Sequence, residues 1–208
     1  MSIDQAPYIL PELFVGRDSE LDEIREILGP TESSEKSDQQ QKTLTLSGVA
    51  GVGKTQLAIA YAKRFRSLYT SIFWLDASAE DSINNGFRSA FELIYGIKAD
   101  DSAVTNEDAV ARVFRWLSEE DNTHWLLIFD GYTPDHFKIE KFYPPVSHGN
   151  ILVTTETSES QESLSTKSIH LRPFESDQYS LALLQGTSQR KDVVSGRSQI
   201  IKQHMCTC

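Results

Sequence analysis

The segment Gly48-Val-Ala-Gly51-Val-Gly53-Lys54-Thr55 constrains this chain more than any other. It matches G-x-x-x-x-G-K-[ST], with an apolar strand before it and a helix after it. Its glycines let the backbone turn where a Cβ would forbid it and approach an anion closely, so successive N–H groups point inward at phosphate oxygens. A helix beginning near Lys54 adds the positive end of its dipole. Lys54 is placed to reach the outer phosphates as a point charge, and the Thr55 hydroxyl to ligate Mg²⁺. Gly48, Val49, Ala50, Gly51, Val52, Gly53, Lys54, Thr55 and Gln56 together form the candidate phosphate cradle.

A chain of 208 residues is long enough for one well-buried α/β domain with appendages. Thirty acidic against twenty basic residues give a formal net charge of −10. That charge repels nucleic acid, and no basic stripe compensates for it, so direct DNA or RNA binding is not expected. The longest wholly apolar stretch, Trp125 to Phe129, is far short of a membrane span, and Met1-Ser-Ile-Asp-Gln5 lacks the regions of a signal peptide. A cytoplasmic location without a membrane partner is expected. Cys206 and Cys208 are too close in sequence for an ordinary disulfide and lack a second pair for zinc.

Patterning predicts alternating helices and strands. Residues 1–30 form an N-terminal segment whose helix starts at Asp18 and stops at Gly29-Pro30; 31–42, almost wholly polar, form a flexible loop. Five strands follow, at Thr43–Ser47, Ser71–Asp76, His124–Phe129, Asn150–Thr155 and Lys167–Leu171. Helices between them present Leu57, Ala58, Tyr61, Ala62 and Phe65, then Ile83, Phe87, Ala90, Phe91 and Ile94 from about Asp81 to Tyr95. A third, from about Asn106 to Ser118, presents Ala109, Val110, Val113, Phe114 and Leu117. A further helix is expected near Ser176 to Gln185. The expected fold is α/β, a doubly wound five-stranded parallel sheet with ligands at the strand C-terminal ends. The domain runs over 43–186, and 187–208 form a weakly structured tail.

Phosphate recognition needs a partner for Mg²⁺, an acid at the end of a nearby buried strand. Asp130 is the candidate, delivered to the sheet edge by five apolar residues; capping of the next turn is its alternative role. Asp76 stands at a similar strand end, but Ala77-Ser-Ala-Glu80 follows it, which favours a turn or helix-cap role.

Beyond the loop, Phe14-Val-Gly-Arg17-Asp-Ser-Glu20-Leu resembles the h-h-G-R-x-x-E-L segment of the NB-ARC class of STAND nucleotide-binding ATPases, which are P-loop NTPases. Gly48 to Thr55 is similar to the family's Walker A, Ile72-Phe-Trp-Leu-Asp76-Ala to its second strand, Leu126-Leu-Ile-Phe-Asp130 to its Walker B, and Ile151-Leu-Val-Thr-Thr155 to its sensor strand. The likeness runs from about Leu13 to Gln185, and the Ser71-Ile-Phe-Trp-Leu75 form most resembles fungal members. The family includes plant disease-resistance proteins, apoptosis-activating adaptors and fungal self/non-self recognition proteins. The resemblance implies ADP or ATP with Mg²⁺, and places Phe14, Val15 and Arg17 near the adenosine.

Three departures stand out. Gly131 follows Asp130 where the family commonly has a second acid that positions water, and Glu156 follows Thr155 where it usually has an arginine that contacts the γ-phosphate. No Gly-Leu-Pro-Leu or Met-His-Asp-like segment is found. The resemblance therefore implies a nucleotide-binding signalling switch with weak or absent hydrolysis, truncated after the nucleotide-binding part. A protein partner or self-association is expected through the region after Phe174, where Tyr179, Ala182 and Leu183 share a helical face. A truncated paralogue acting as an interaction or decoy protein is the alternative, and a small P-loop kinase a weaker one: the acidic, Ser-rich Thr154–Lys167 stretch lacks an Arg-rich lid. No Asn-Lys-x-Asp guanine reader is present.

Overall fold

The computed structural model describes residues 3–8, 14, 16–29, 40–97, 104–134, 137–157 and 167–173. Residues up to Tyr8 and Arg17–Arg172 form one compact unit. Ile9–Gly16 and Pro173–Cys208 form a second, of which only Phe14, Gly16 and Pro173 are described. The expected helix at Ser176–Gln185, the tail from 187, most of the 31–42 loop and Val15 lie outside the described residues.

Within the first unit the elements are β1 (Ile3–Asp4), α1 (Asp18–Leu28), β2 (Lys42–Ser47), α2 (Lys54–Arg64), β3 (Ser71–Asp76), α3 (Glu80–Tyr95), α4 (Asn106–Leu117), β4 (Trp125–Tyr132), β5 (Asn150–Thr155) and β6 (Lys167–His170). All pair in parallel in one sheet of order β1-β3-β4-β5-β2-β6. β5 therefore stands between β2, which feeds the glycine-rich loop, and β4, which carries Asp130.

The sheet has six strands where the sequence predicts five. The sixth, Ile3–Asp4, is too short to show a period; interactions from elsewhere hold it. Gln5 N–H donates to the Ile72 carbonyl at 3.0 Å and Arg66 Nη2 to the Ile3 carbonyl at 3.1 Å. Lys63 pairs with Asp4 at 3.2 Å. A second correction concerns β4, which continues to Tyr132 instead of ending at Phe129. Its pairing with β5 shifts register between Phe129 and Tyr132, and Gly131 takes the left-handed φ of 80° that this bulge requires.

Alternation along the central strands divides the core between two faces. Phe73, Leu75, Trp125, Leu127, Phe129, Ile151 and Val153 meet Ile83, Phe87 and Phe91 of α3 and Ala109, Val113 and Leu117 of α4. Ile72, Leu126, Ile128 and Leu152, also fully buried, point the opposite way. That second face receives α2, whose Leu57, Ala58, Tyr61 and Ala62 are fully buried, and α1 through Leu21, Ile24 and Leu28. Trp125 ties the layers together, its Nε1–H donating to the Leu117 carbonyl at the end of α4 at 3.0 Å.

Helix α4 begins with a capping box. Thr105 Oγ1 accepts from the Asp108 N–H at 3.1 Å, while Asp108 Oδ2 accepts from the Thr105 N–H at 3.2 Å. Two otherwise orphaned donors are thereby satisfied. Thr105→Ala is expected to destabilise the domain by about 1 kcal/mol and Thr105→Ser by much less, read as urea-midpoint shifts at constant m-value.

Candidate functional site

The polypeptide leaves β2 at Ser47 and immediately approaches another strand. Gly48 has φ 149°, and a Cβ there would stand 2.6 Å from the Leu171 carbonyl oxygen, so only glycine fits. Leu171 N–H donates to the Ser47 carbonyl at 2.8 Å, which fixes the chain after β6 against the start of the loop. A turn closed by Val52 N–H to the Val49 carbonyl at 3.3 Å leads to Gly53, the left-handed N-cap of α2. The first amides of a helix have no intrahelical acceptor, and here they belong to residues lining a cleft.

That cleft has a volume of about 460 Å³. Gly51, Gly53, Lys54, Thr55 and Gln56 form one wall; Gly131, Thr133, Thr154, Thr155 and Glu156 form the other. Lys54 is 8% exposed, and its Nζ donates to the Gly48 carbonyl at 2.9 Å and the Val49 carbonyl at 3.0 Å. An ammonium has three donors, so one remains for an oxygen in the cleft. Val49 and Ala50 are exposed at the loop tip, and Val52 is half-buried.

Across the cleft, Thr55 Oγ1 donates to Asp130 Oδ1 at 2.8 Å. The same oxygen accepts from Thr154 Oγ1 at 2.7 Å, and Thr154 Oγ1 in turn accepts from the Gly131 N–H at 2.8 Å. Asp130 is thus drawn over β5 toward the loop by hydroxyls on both sides. A hydroxyl and a carboxylate at this separation are hard oxygen donors of the kind Mg²⁺ takes alongside phosphate and water. No cluster of three His, Cys, Asp or Glu exists among the described residues, and a cation shared with phosphate needs none.

The remaining candidates divide. Arg17 lies outside the cleft lining: Nη2 donates to the Val52 carbonyl at 3.2 Å and the Arg172 carbonyl at 2.7 Å, and Nη1 pairs with Glu20 at 2.7 Å. Partial burial opposes the Glu20 charge, but hydrogen bonds from Arg17 and Ser19 outweigh it and hold the carboxyl below its ordinary range. Phe14 belongs to the second unit. Asp76 Oδ1 accepts from the Ser78 N–H at 2.9 Å, an Asx turn; bonds from the Ser78 hydroxyl and amide hold its carboxyl below the usual value. Sequence reasoning did not name Thr133, and it assigned Thr154 no bond. The only signal for Thr154 was its place at the end of an apolar strand.

The NB-ARC domain model matches residues 19–193. The chain belongs to the NB-ARC domain family. A nucleotide-binding leucine-rich repeat (NLR)-like protein of the fungus Hyaloscypha variabilis is 29% identical over 119 residues, 56% of this chain and 11% of that protein. The chain thus spans about a tenth of that relative's length. Among solved structures, the STAND protein with a tetratricopeptide repeat sensor from Pyrococcus horikoshii is similar at a TM-score of 0.50 and 17% identity, over 89% of this chain and 27% of that one. Cdc6p of Pyrobaculum aerophilum is similar at 0.53 and 15%, over 81% and 47%. Drosophila ORC bound to DNA matches at 0.56 and 14%, over 88% and 48%. These likenesses establish the fold, that of the P-loop NTPases. Among the described residues no helix is long and apolar enough to cross a membrane.

Thr154→Val in this NB-ARC domain keeps the shape but removes the hydroxyl shared by Asp130 and Gly131. It is expected to cost about 1–3 kcal/mol of unfolding free energy, measured by denaturant titration, because a half-buried amide and a carboxylate each lose a partner.

Proposed function

We propose that this chain binds an adenine nucleotide with Mg²⁺, ADP in preference to ATP, as the switch module of a signalling protein. The observation that carries the reading is the Thr55–Asp130 hydrogen bond, which brings a loop hydroxyl and a strand-end carboxylate together across a cleft walled by Lys54 and a helix N-terminus. Amides of Gly51 to Gln56 would hold the phosphates, with Lys54 Nζ neutralising them. Thr55 and Asp130 would hold Mg²⁺, which supplies charge neutralisation when bound. Phe14 and Val15 enter as adenosine neighbours through the family resemblance alone.

The opposite wall supports weak or absent turnover. Gly131 has no side chain to polarise water, and its N–H already donates to Thr154. Glu156, exposed in the cleft lining, would meet the extra charge of a triphosphate. Like charges about 6 Å apart repel by about 3 kcal/mol at an effective dielectric near 20, less where water screens them. A chain that holds ADP and disfavours ATP suits a resting switch, with assembly or a protein partner acting through the region after Phe174. The same two residues favour the interaction or decoy reading should nucleotide not bind at all. A cytoplasmic location accords with either.

Lys54→Ala is expected to weaken ADP binding ten- to a hundredfold, since it deletes a charge-assisted phosphate contact. Asp130→Ala should weaken binding with Mg²⁺ present more than with EDTA. Calorimetric titration of the folded variants tests both, and an unchanged ADP affinity in Lys54→Ala would overturn the assignment. Glu156→Arg should raise ATP affinity relative to ADP by about tenfold, because attraction replaces repulsion beside the third phosphate. An unaltered ratio in competition titrations would remove Glu156 from the account.

A further inference from the structure

Arg17 is the one described non-glycine residue with a positive φ, at φ 65° and ψ 22°. A left-handed backbone is costly for a residue with a Cβ, and such outliers persist where surrounding contacts over-determine them. The contacts here are specific. The guanidinium is buried to 7% exposure, anchored through Nη1 to Glu20, and spends Nη2 on the carbonyls of Val52 in the loop and Arg172 just after β6. Glu20 is steadied in turn by Ser19 Oγ at 2.8 Å.

The Val52 carbonyl shares a planar trans peptide with the Gly53 N–H, so the two point to opposite sides. Pulling that carbonyl toward Arg17 turns the Gly53 N–H the other way. Gly53 lines the cleft, whereas Arg17 does not. We infer that Arg17 is a positioning residue for phosphate recognition: it holds the loop from outside so that the Gly53 amide faces the ligand's phosphate. Through Arg172 the same side chain couples the loop to the chain that leaves β6. This inference rests on the nucleotide-binding reading and assigns Arg17 to a different part of the ligand from the adenosine.

The test separates phosphate from base. Displacement of a fluorescent ADP analogue by ADP, pyrophosphate and adenosine is measured on wild type, Arg17→Lys and Glu20→Gln, with the fold checked by circular dichroism. Lysine keeps the charge but cannot span both carbonyls and Glu20. Arg17→Lys is expected to weaken ADP and pyrophosphate together, about tenfold, and leave adenosine unchanged. Glu20→Gln, which loosens the anchor without removing the guanidinium, should do the same about threefold and carries the test should Arg17→Lys fail to fold. A loss confined to adenosine and ADP, or no loss, overturns the inference while nucleotide binding stands. Wild-type protein that binds neither ADP nor pyrophosphate overturns the nucleotide reading and this inference with it.

Discussion

Trp125 to Phe129 are fully buried, with helices on both faces of the sheet, and that constraint arranges the rest of the molecule. A strand without a solvent face cannot carry an unpaired charge along its span, because desolvation would cost several kcal/mol. The first position where a carboxylate is tolerated is where the strand leaves the core, at Asp130. β2 and β5 are likewise buried along their spans, with Leu44, Thr45 and Leu46 preceding Ser47 and the glycine loop, and Leu152 and Val153 preceding Thr154 and Thr155. Because every strand runs in the same direction, these transitions fall on one rim. The site is the place where the buried strands end.

The insertion of β5 between β2 and β4 shapes that rim. Asp130 and the loop are not on neighbouring strands, and Thr154 occupies the intervening position with a hydroxyl that accepts from Gly131 and donates to Asp130. On the loop side, carbonyls are taken up by the protein's own cations: Gly48 and Val49 by Lys54 from within, Val52 by Arg17 from without. A trans peptide whose carbonyl is claimed from without offers its N–H within, so the Arg17 contact disposes the Gly53 amide toward the cleft. Attraction for an anion is thus built from backbone dipoles, in a chain whose net charge is −10.

Most of this arrangement was legible in local sequence. The glycine-lysine-threonine run, the apolar run ending in Asp130, and the 3.6-residue pattern of α3 and α4 each reflect a local rule, and each lies where its pattern placed it. What escaped depends on distant contacts. Ile3–Asp4 has no pattern of its own and becomes a strand because Lys63 and Arg66 receive it. Thr133 lines the cleft only because β4 runs past Asp130. The contacts of Arg17 join residues 35 and 155 positions away, and no periodicity reports a bond to a carbonyl that every residue has.

Gly131 connects the missing second acid to the architecture of β4. The strand continues through it only by a bulge, and the bulge places its backbone at φ 80°. Space is not what excludes a side chain there, since an added Cβ would meet nothing within 4 Å. The cost lies in the backbone, where a left-handed conformation disfavours any residue with a Cβ by about 1–2 kcal/mol. The same bulge brings the Gly131 N–H to Thr154, and Thr154 holds Asp130 within reach of Thr55. A second carboxylate at this position would therefore strain the turn that orients the first. The rim as built favours one well-held carboxylate over a pair of them.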